Sequence, residues 1–337
     1  MAASSSVPRA SILMLAWKAE ATIVEALEGA LAQTVPCEIL VSDDASPDGG
    51  FERARAFLAG RPPMGAPHEV RLLRQPTNLG LTAHLNRLIS EARGEVIVVM
   101  AADDVSEPGR VAALLSAFDA DAGAFVAGSA WTAFGDGRPE EAGRSRLPAR
   151  FGLADFVASG RMSTLLGATI AFRREVVDRF GPLAGHVEDN VLSLRGALLG
   201  GGVNLPRPLV RYRRSPESLG QWLFARDDGR DARARRYRRT VAMYRAVADD
   251  LEGAMRSVGA GLGEAARRDA VDIVAMYRLE AEAREALLDR PRLQWIGPIL
   301  AGMRQRGLRR KSAERALKLL VPRCWLDLPQ SEPSTPG

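Results

Sequence analysis

A run of strand formers, Val96-Ile97-Val98-Val99-Met100, empties into Asp103-Asp104 and then into a helix led by Pro108. Five apolar residues with no polar alternation mark a strand covered on both faces. Such strands belong to parallel sheets flanked by helices. Open α/β sheets bind ligands beyond the carboxyl ends of their strands, where these two carboxylates fall. Adjacent like charges there are costly unless a cation or a ligand's donors offset them. A divalent ion carrying a diphosphate answers that need, because hard oxygen ligands suit Mg²⁺ or Mn²⁺. The same residues also read as a helix start, with Asp104 or Ser106 as the cap ahead of Pro108.

The first half of the chain repeats the alternation. Strands are predicted over Ser11–Leu15, Glu38–Ser42 and Val70–Leu73, and helices over Ile23–Ala32 and from Leu81 through Ile89. The second strand ends in Asp43-Asp44 and the turn residues Ser46, Pro47, Asp48 and Gly49. Right-handed crossovers bring successive strand ends to one edge, so Asp43-Asp44 and Asp103-Asp104 are expected to face one crevice. Later strands are expected at Phe125–Ser129 and Thr169–Phe172, separated by Gly- and Arg-rich loop sequence. Beyond Tyr212 the spacing of Val241, Tyr244, Ala248, Leu251, Met255 and Val258 is helical and reads as core packing.

At 337 residues the chain can bury a core in one large domain or two smaller ones. No apolar run reaches bilayer-spanning length. The opening MAASSSVPRASILML lacks the basic start, apolar core and cleavage site of an export signal, so a cytoplasmic setting is expected. Cys37 and Cys324 offer no disulfide framework, and with three histidines they argue against a zinc site. The net charge of +5 is concentrated late, in RDARARRYRR and MRQRGLRRKSAERALK. Without aromatic interleaving or a recognisable module these clusters do not make a nucleic-acid surface. The stretch QWIGPILAGMRQRGLRRKSAERALKLL mixes apolar and basic residues as surface-associated helices do, while its glycines argue against one straight helix.

Several strings, taken in order, resemble the inverting family-2 glycosyltransferases of the GT-A fold. ASILMLAWKAEATIVEALEGALAQT resembles their opening strand and helix, and VSDDASPDGG their nucleotide-binding strand end. NLGLTAHLNRLISEARGEVIVVMAADD resembles the approach to their metal motif. GATIAFRREVVDRFGPL and HVEDNVLSLRGALLGG resemble their acceptor-side strand and catalytic helix, and RYRRSPESLG their closing strand. The resemblance spans about residues 10 to 220, leaves the C-terminal third outside it, and implies a Rossmann-like, mostly parallel sheet. Together with the helical spacing after Tyr212 and the closing LPQSEPSTPG, it gives an expected division into a donor-binding domain over 1–220, a helical C-terminal region over 221–325 and a disordered tail over 326–337.

By position, the resemblance places Asp43 or Asp44 on the base or ribose of a nucleotide. A carboxylate accepting an imino proton forms a strong hydrogen bond, and an Asx-turn into Ser46 is the structural alternative. Ala16-Trp17 falls where Trp17 would pack against the base; a core role for Trp17 is the alternative. Asp103 also lies on the donor side, and Asp103 with Asp104 falls on the Asp-x-Asp metal motif, whose first carboxylate is replaced by Ala101. Use of Mn²⁺ or Mg²⁺ is implied, with its strictness open. Asp189 falls on the catalytic base and Glu188 beside it would orient the acceptor or substitute for the base. Favourable charge at a helix N-terminus is the alternative for both. Arg211, Arg213 and Arg214 would pair with diphosphate oxygens, against surface solvation, and Ser215 stands where the family often has histidine.

The implied activity is inverting transfer of a sugar from a nucleotide diphosphate-sugar to a saccharide or lipid-linked acceptor, of the kind used in polysaccharide biosynthesis. A non-catalytic member of the fold that binds nucleotide-sugar within an assembly is the other reading, supported by Ala101 and Ser215. The basic C-terminal third fits peripheral attachment to the inner face of the cytoplasmic membrane, and equally fits helix packing or a homodimer.

Overall fold

The computed structural model describes residues 7–60, 68–160, 162, 164–185, 187–214 and 232–320. Two compact units divide the chain. One runs to Gly152 and resumes for the stretch ending at Arg214; the other takes Leu153–Met162 and the chain after Arg214.

The first unit is built on one mixed sheet of ten strands: β1 (Ala10–Ala16), β2 (Glu38–Asp43), β3 (Glu69–Arg74), β4 (Val96–Ala101), β5 (Val105–Ser106), β6 (Val126–Phe134), β7 (Glu141–Gly143), β8 (Arg150–Phe151), β9 (Ala171–Arg173) and β10 (Gly202–Arg213). The spatial order is β3-β2-β1-β4-β9-β6-β10-β5, with β7 on β6 and β8 on β10. Strands β3, β2, β1 and β4 are parallel, as the strand–helix alternation predicts. Short β9 runs antiparallel to both β4 and β6 and joins the halves of the sheet. The stretch after residue 135, expected as loop, contributes the hairpin strand β7.

Helices α1 (Ile23–Leu31), α2 (Gly50–Ala59), α3 (Leu81–Glu91), α4 (Arg110–Ala120), α6 (Glu175–Phe180) and α7 (Glu188–Leu199) belong to the same unit, and α5 (Leu153–Ser159) to the other. Ile12 and Met14 of β1, Ile39 and Val41 of β2, and Val98 and Met100 of β4 form one core with Ile23 and Leu27 of α1 and Leu114 and Phe118 of α4. Each such side chain taken fully out of water contributes about 1.5–3 kcal/mol, so this core holds the strand ends in place. Expected Thr169–Phe172 resolves into a 3-10 turn, Gly167–Thr169, before β9; the Thr169 hydroxyl donates to Leu166 O at 2.9 Å and closes the turn.

The second unit is helical: α5, α8 (Ala232–Val258), α9 (Glu264–Asp289), α10 (Ile296–Arg304) and α11 (Arg309–Lys318). Helices α8 and α9 pack side by side with Tyr244 and Tyr277 edge to face, 5.7 Å between centroids. Val241, Tyr244, Ala248 and Leu251 are buried, as their spacing predicts. The stretch after Pro291 is broken between α10 and α11, where Gly307 takes φ +82, a left-handed conformation that favours glycine. Among the described residues no helix is long and apolar enough to cross a membrane. The tail over 326–337, Ser215 and the expected boundary at 220 lie outside the described residues.

Candidate active site

Parallel register brings three strand ends to one edge. Ala16 at the end of β1 pairs with Asp43 of β2 on one side, and Leu15 pairs with Ala101 of β4 on the other. The bonding continues past the strands, with Asp44 N–H donating to Ala16 O at 2.9 Å and Ala102 N–H to Leu15 O at 3.0 Å. The acidic pairs expected to share a crevice therefore flank β1.

Asp43 is buried. Its Oδ2 accepts the Ser46 N–H at 3.0 Å and faces Arg74 Nε at 3.3 Å, so the Asx-type turn is present. Asp44 is spent differently: its two oxygens accept the N–H groups of Leu79 and Gly80, both at 2.9 Å, ahead of α3. The indole of Trp17 is 50% exposed, which rules out the core alternative for it. Lys18, at φ +52, holds its ammonium 4.5 Å from the Trp17 ring centroid, and its N–H donates to Ser46 Oγ. The loop after β1 is thereby pinned to the turn after β2.

Asp103 and Asp104 follow β4. Asp104 does not cap α4, which has no side-chain cap; its buried Oδ1 accepts the Arg213 N–H at 2.7 Å. Burial, and then the charge of Asp103, push Asp104 up to about 8, against the Arg213 N–H and the charges of Arg110 and Arg213. Burial also raises Asp103, opposed in part by Arg213. The Arg213 guanidinium donates to Asp103 O at 2.8 Å and to Glu25, and stacks on Phe134 at 4.4 Å. Arg211 also meets that ring, 4.5 Å from its centroid, and its Nη2 lies 2.9 Å from Glu140 Oε1. Both arginines thus sit on carboxylates. Arg213 joins the Asp103-Asp104 end, while Arg211 leans toward Glu140 on the β6–β7 hairpin.

Among the described residues no group of three or more His, Cys, Asp or Glu side chains gathers to hold a metal. Asp103 and Asp104 still fit a divalent ion as a partial donor set. They are hard oxygen ligands whose burial disfavours two bare negative charges, and a diphosphate and water would complete the shell.

A further acidic pair, Glu188 and Asp189, opens α7 and is half-buried. Asp189 Oδ1 accepts the backbone N–H of Asn190 at 2.7 Å and its amide at 2.8 Å. Burial raises Asp189 above the usual range, against these two bonds. Burial and then the Asp189 charge push Glu188 up to about 8. Glu188 lies against the 3-10 turn: a Cβ on Gly167 would stand 2.8 Å from Glu188 Oε1. Favourable placement at a helix start and a raised pKa coexist here, because the carboxylates are close together and partly out of water.

The residue that sequence reasoning missed is Arg110, the first residue of α4 and fully buried. Its guanidinium donates to Ser106 Oγ at 2.9 Å and to the carbonyls of Val99 and Ala168, both at 2.8 Å. Burial pulls it down to about 10, and Asp104 opposes that fall. A lone arginine opening an apolar helix, VAALLSAF, was the available signal.

A mostly parallel sheet of this order, with acidic strand ends on one edge and helices on its faces, is a GT-A-like α/β fold. The chain belongs to glycosyl transferase family 2, whose family model matches residues 11–181 and so ends before Glu188. EpsE of Bacillus subtilis (strain 168) is 32% identical over 108 residues, 32% of this chain and 37% of that protein. Succinoglycan biosynthesis protein ExoO of Rhizobium meliloti (strain 1021) is 36% identical over 126 residues, 37% of this chain and 34% of that one. The chain thus matches about a third of the length of these curated relatives. Among solved structures, S. aureus TarS 1–349 in complex with UDP-GlcNAc superposes with a TM-score of 0.59 at 15% identity, covering 88% of this chain and 81% of that one. The mannosyltransferase PcManGT of Pyrobaculum calidifontis, in complex with GDP-Man and Mn²⁺, gives 0.51 at 17% identity over 95% and 88%. At these identities the likeness is one of fold.

Proposed function

We propose that this protein transfers a sugar from a nucleotide diphosphate-sugar to a saccharide or lipid-linked acceptor, with inversion at the anomeric carbon, in polysaccharide biosynthesis. The observation that carries the reading is a pair of acidic ends joined through one buried cation. Arg110 reaches Ser106 and Val99 beside Asp104, and Ala168 in the turn against Glu188.

In this reading residues 1–220 bind the donor and 221–325 support the placement of the enzyme. Asp43 accepts from the base or ribose, with Asp44 holding the α3 entrance behind it, and Ala16-Trp17 lies along the base. Asp103 and Asp104 would hold Mn²⁺ or Mg²⁺, which when bound supplies charge to a departing diphosphate. Asp189 takes the acceptor hydroxyl's proton as the oxygen attacks the anomeric carbon from the face opposite the leaving group. Glu188, protonated near neutral pH, donates to the acceptor and orients it. Arg213 keeps Asp104 in place, and Arg211 stands at the hairpin side as a diphosphate partner once it leaves Glu140. The setting is the cytoplasmic face of a membrane that carries the acceptor; a homodimer is a further expectation.

Ala101 in the metal motif favours a second reading, a non-catalytic nucleotide-sugar-binding protein. Thermal-shift binding of UDP, GDP, dTDP and CDP, each with Mn²⁺, Mg²⁺ or EDTA, tests the donor site, because a ligand bound only by the folded state raises Tm. A metal-dependent shift with one nucleotide supports the donor site, and turnover of the matching nucleotide-sugar then separates enzyme from binder. No shift for a folded protein removes the donor assignment.

A further inference from the structure

Helix α10 is two-faced in the opposite sense from a core helix that ends at solvent. Pro298, Ile299 and Gly302 are buried, with Ile299 packed beside Trp295 and Leu287. On the other side Ile296, Leu300 and Met303 are 41%, 48% and 45% exposed, and Leu293 in the preceding turn is 82% exposed. Positions 293, 296, 300 and 303 follow helical spacing, so these four form one stripe rather than scattered surface residues. A polar outer face is the ordinary expectation for a surface helix. Here the outer face is apolar, and the charge has moved to its ends and to α11.

That charge has one sign. Residues 291–320 carry eight arginines and lysines against the single acid Glu314. Some of the cations serve the unit itself: Arg306 meets Asp269 and Asp272, and Lys311 and Arg315 meet Glu280. Arg304 and Arg309 are exposed, Arg304 following Met303 at the end of α10 and Arg309 opening α11. Two copies laid stripe to stripe would add cations to a surface already in positive excess, and a neutral apolar partner would leave those cations without counter-charge. An anionic bilayer answers both halves at once, with acyl chains for the stripe and headgroups for the arginines. At nine residues α10 is about 13 Å long, far short of a bilayer's hydrocarbon core, so it lies along the interface.

We infer that the face formed by Leu293 and by Ile296, Leu300 and Met303 of α10, acting with the exposed Arg304 and Arg309, is the surface by which this protein docks on a membrane rich in anionic lipid. The inference gives the membrane setting proposed above a defined surface and rests on that setting, but not on the transfer chemistry.

The test is co-sedimentation of the full chain with vesicles of phosphatidylcholine alone or with phosphatidylglycerol added. The wild type is expected to sediment with the anionic vesicles, weakly with the neutral ones, and less as salt is raised. The variant I296S/L300S/M303S should lose about tenfold or more of that binding at unchanged Tm. R304Q/R309Q, which leaves the stripe intact, should lose the preference for anionic vesicles and serves if the first variant is unstable. Undiminished binding by both variants overturns this surface while the membrane setting stands. Absence of vesicle binding by the wild type ends both, and concentration-dependent self-association abolished by I296S/L300S/M303S assigns the stripe to a second copy instead. Nucleotide binding and sugar transfer, measured on the same preparations, judge the catalytic reading separately.

Discussion

The guanidinium of Arg110 donates to the carbonyl of Ala168 at 2.8 Å, across 58 residues of sequence, and the same Nη2 serves Val99 O on β4. One nitrogen thereby ties the strand that delivers Asp103-Asp104 to the turn that abuts Glu188. A planar fork can serve Ser106 and two carbonyls together; an ammonium in the same place cannot reproduce that geometry. Arg110→Lys is therefore expected to cost about 1–3 kcal/mol in a urea titration, the usual penalty for leaving buried polar groups unpaired. An unchanged midpoint would mean that the fork contributes nothing to stability.

In the proposed reaction Asp189 and Glu188 divide the work of the acceptor side, and their substitutions should separate. Asp189→Asn keeps the shape and both Asn190 contacts available on one side while removing the base, so turnover should fall about 10²–10⁴-fold. Donor-nucleotide binding by thermal shift should be unchanged. Turnover within a few-fold of wild type would take the base assignment away from Asp189.

Glu188→Gln addresses stability. Burial and Asp189 raise Glu188 from 4.5 to about 8, so the folded state holds a proton that the unfolded state releases. A raised carboxyl contributes a penalty that is absent below about pH 4.5, grows as pH climbs and is complete above about 8. Glu188→Gln removes this penalty, so its Tm advantage over wild type should be larger at pH 8.5 than at pH 5.5. Equal differences at the two pH values would show that Glu188 is not raised.

Much of this was legible from residues 10 to 104. There, uninterrupted apolar runs and Asp-rich strand ends report parallel strands and the edge at which their ends gather, because buried strands tolerate little else. Asp43 and Asp44 were readable as a pair but not apart. Which carboxylate turns to Ser46 and which to the Leu79 and Gly80 amides depends on where the α3 entrance comes to rest. Arg110 carried only the signal of a lone arginine opening an apolar helix, for a similar reason: its partners at Val99 and Ala168 are backbone carbonyls, which carry no sequence signature. The swap of Arg213's backbone onto Asp104, in place of helix capping, likewise follows from β10 pairing with β5, a contact between distant segments.

Trp17 offers a clean test of the proposed donor edge. It is half-exposed, so Trp17→Ala should leave Tm unaltered while weakening nucleotide binding by roughly the 1–3 kcal/mol of an aromatic–base stack. Calorimetric titration with the nucleotide identified by thermal shift reads this directly. Unaltered affinity would remove Trp17 from the site.

The helical unit has its own buried ionic centre. Glu280 on α9 is 1% exposed and faces Arg315 Nη2 at 2.7 Å, Lys311 Nζ at 3.7 Å and Arg284 Nε at 3.9 Å. Three cations converge on one carboxylate, so its loss leaves uncompensated positive charge between α9 and α11. Removing one partner of such a centre costs about 3–5 kcal/mol, and Glu280→Gln is expected to lower the stability of the helical unit by that order in a denaturant titration. The pH response is a second check. Burial lowers Lys311, and Glu280 is the main group opposing that fall. Without Glu280 the folded state sheds the Lys311 proton more readily than the unfolded chain does. The deficit of Glu280→Gln should therefore narrow as pH is raised toward the ordinary lysine value of 10.5. A deficit independent of pH would place the cost in packing rather than in charge.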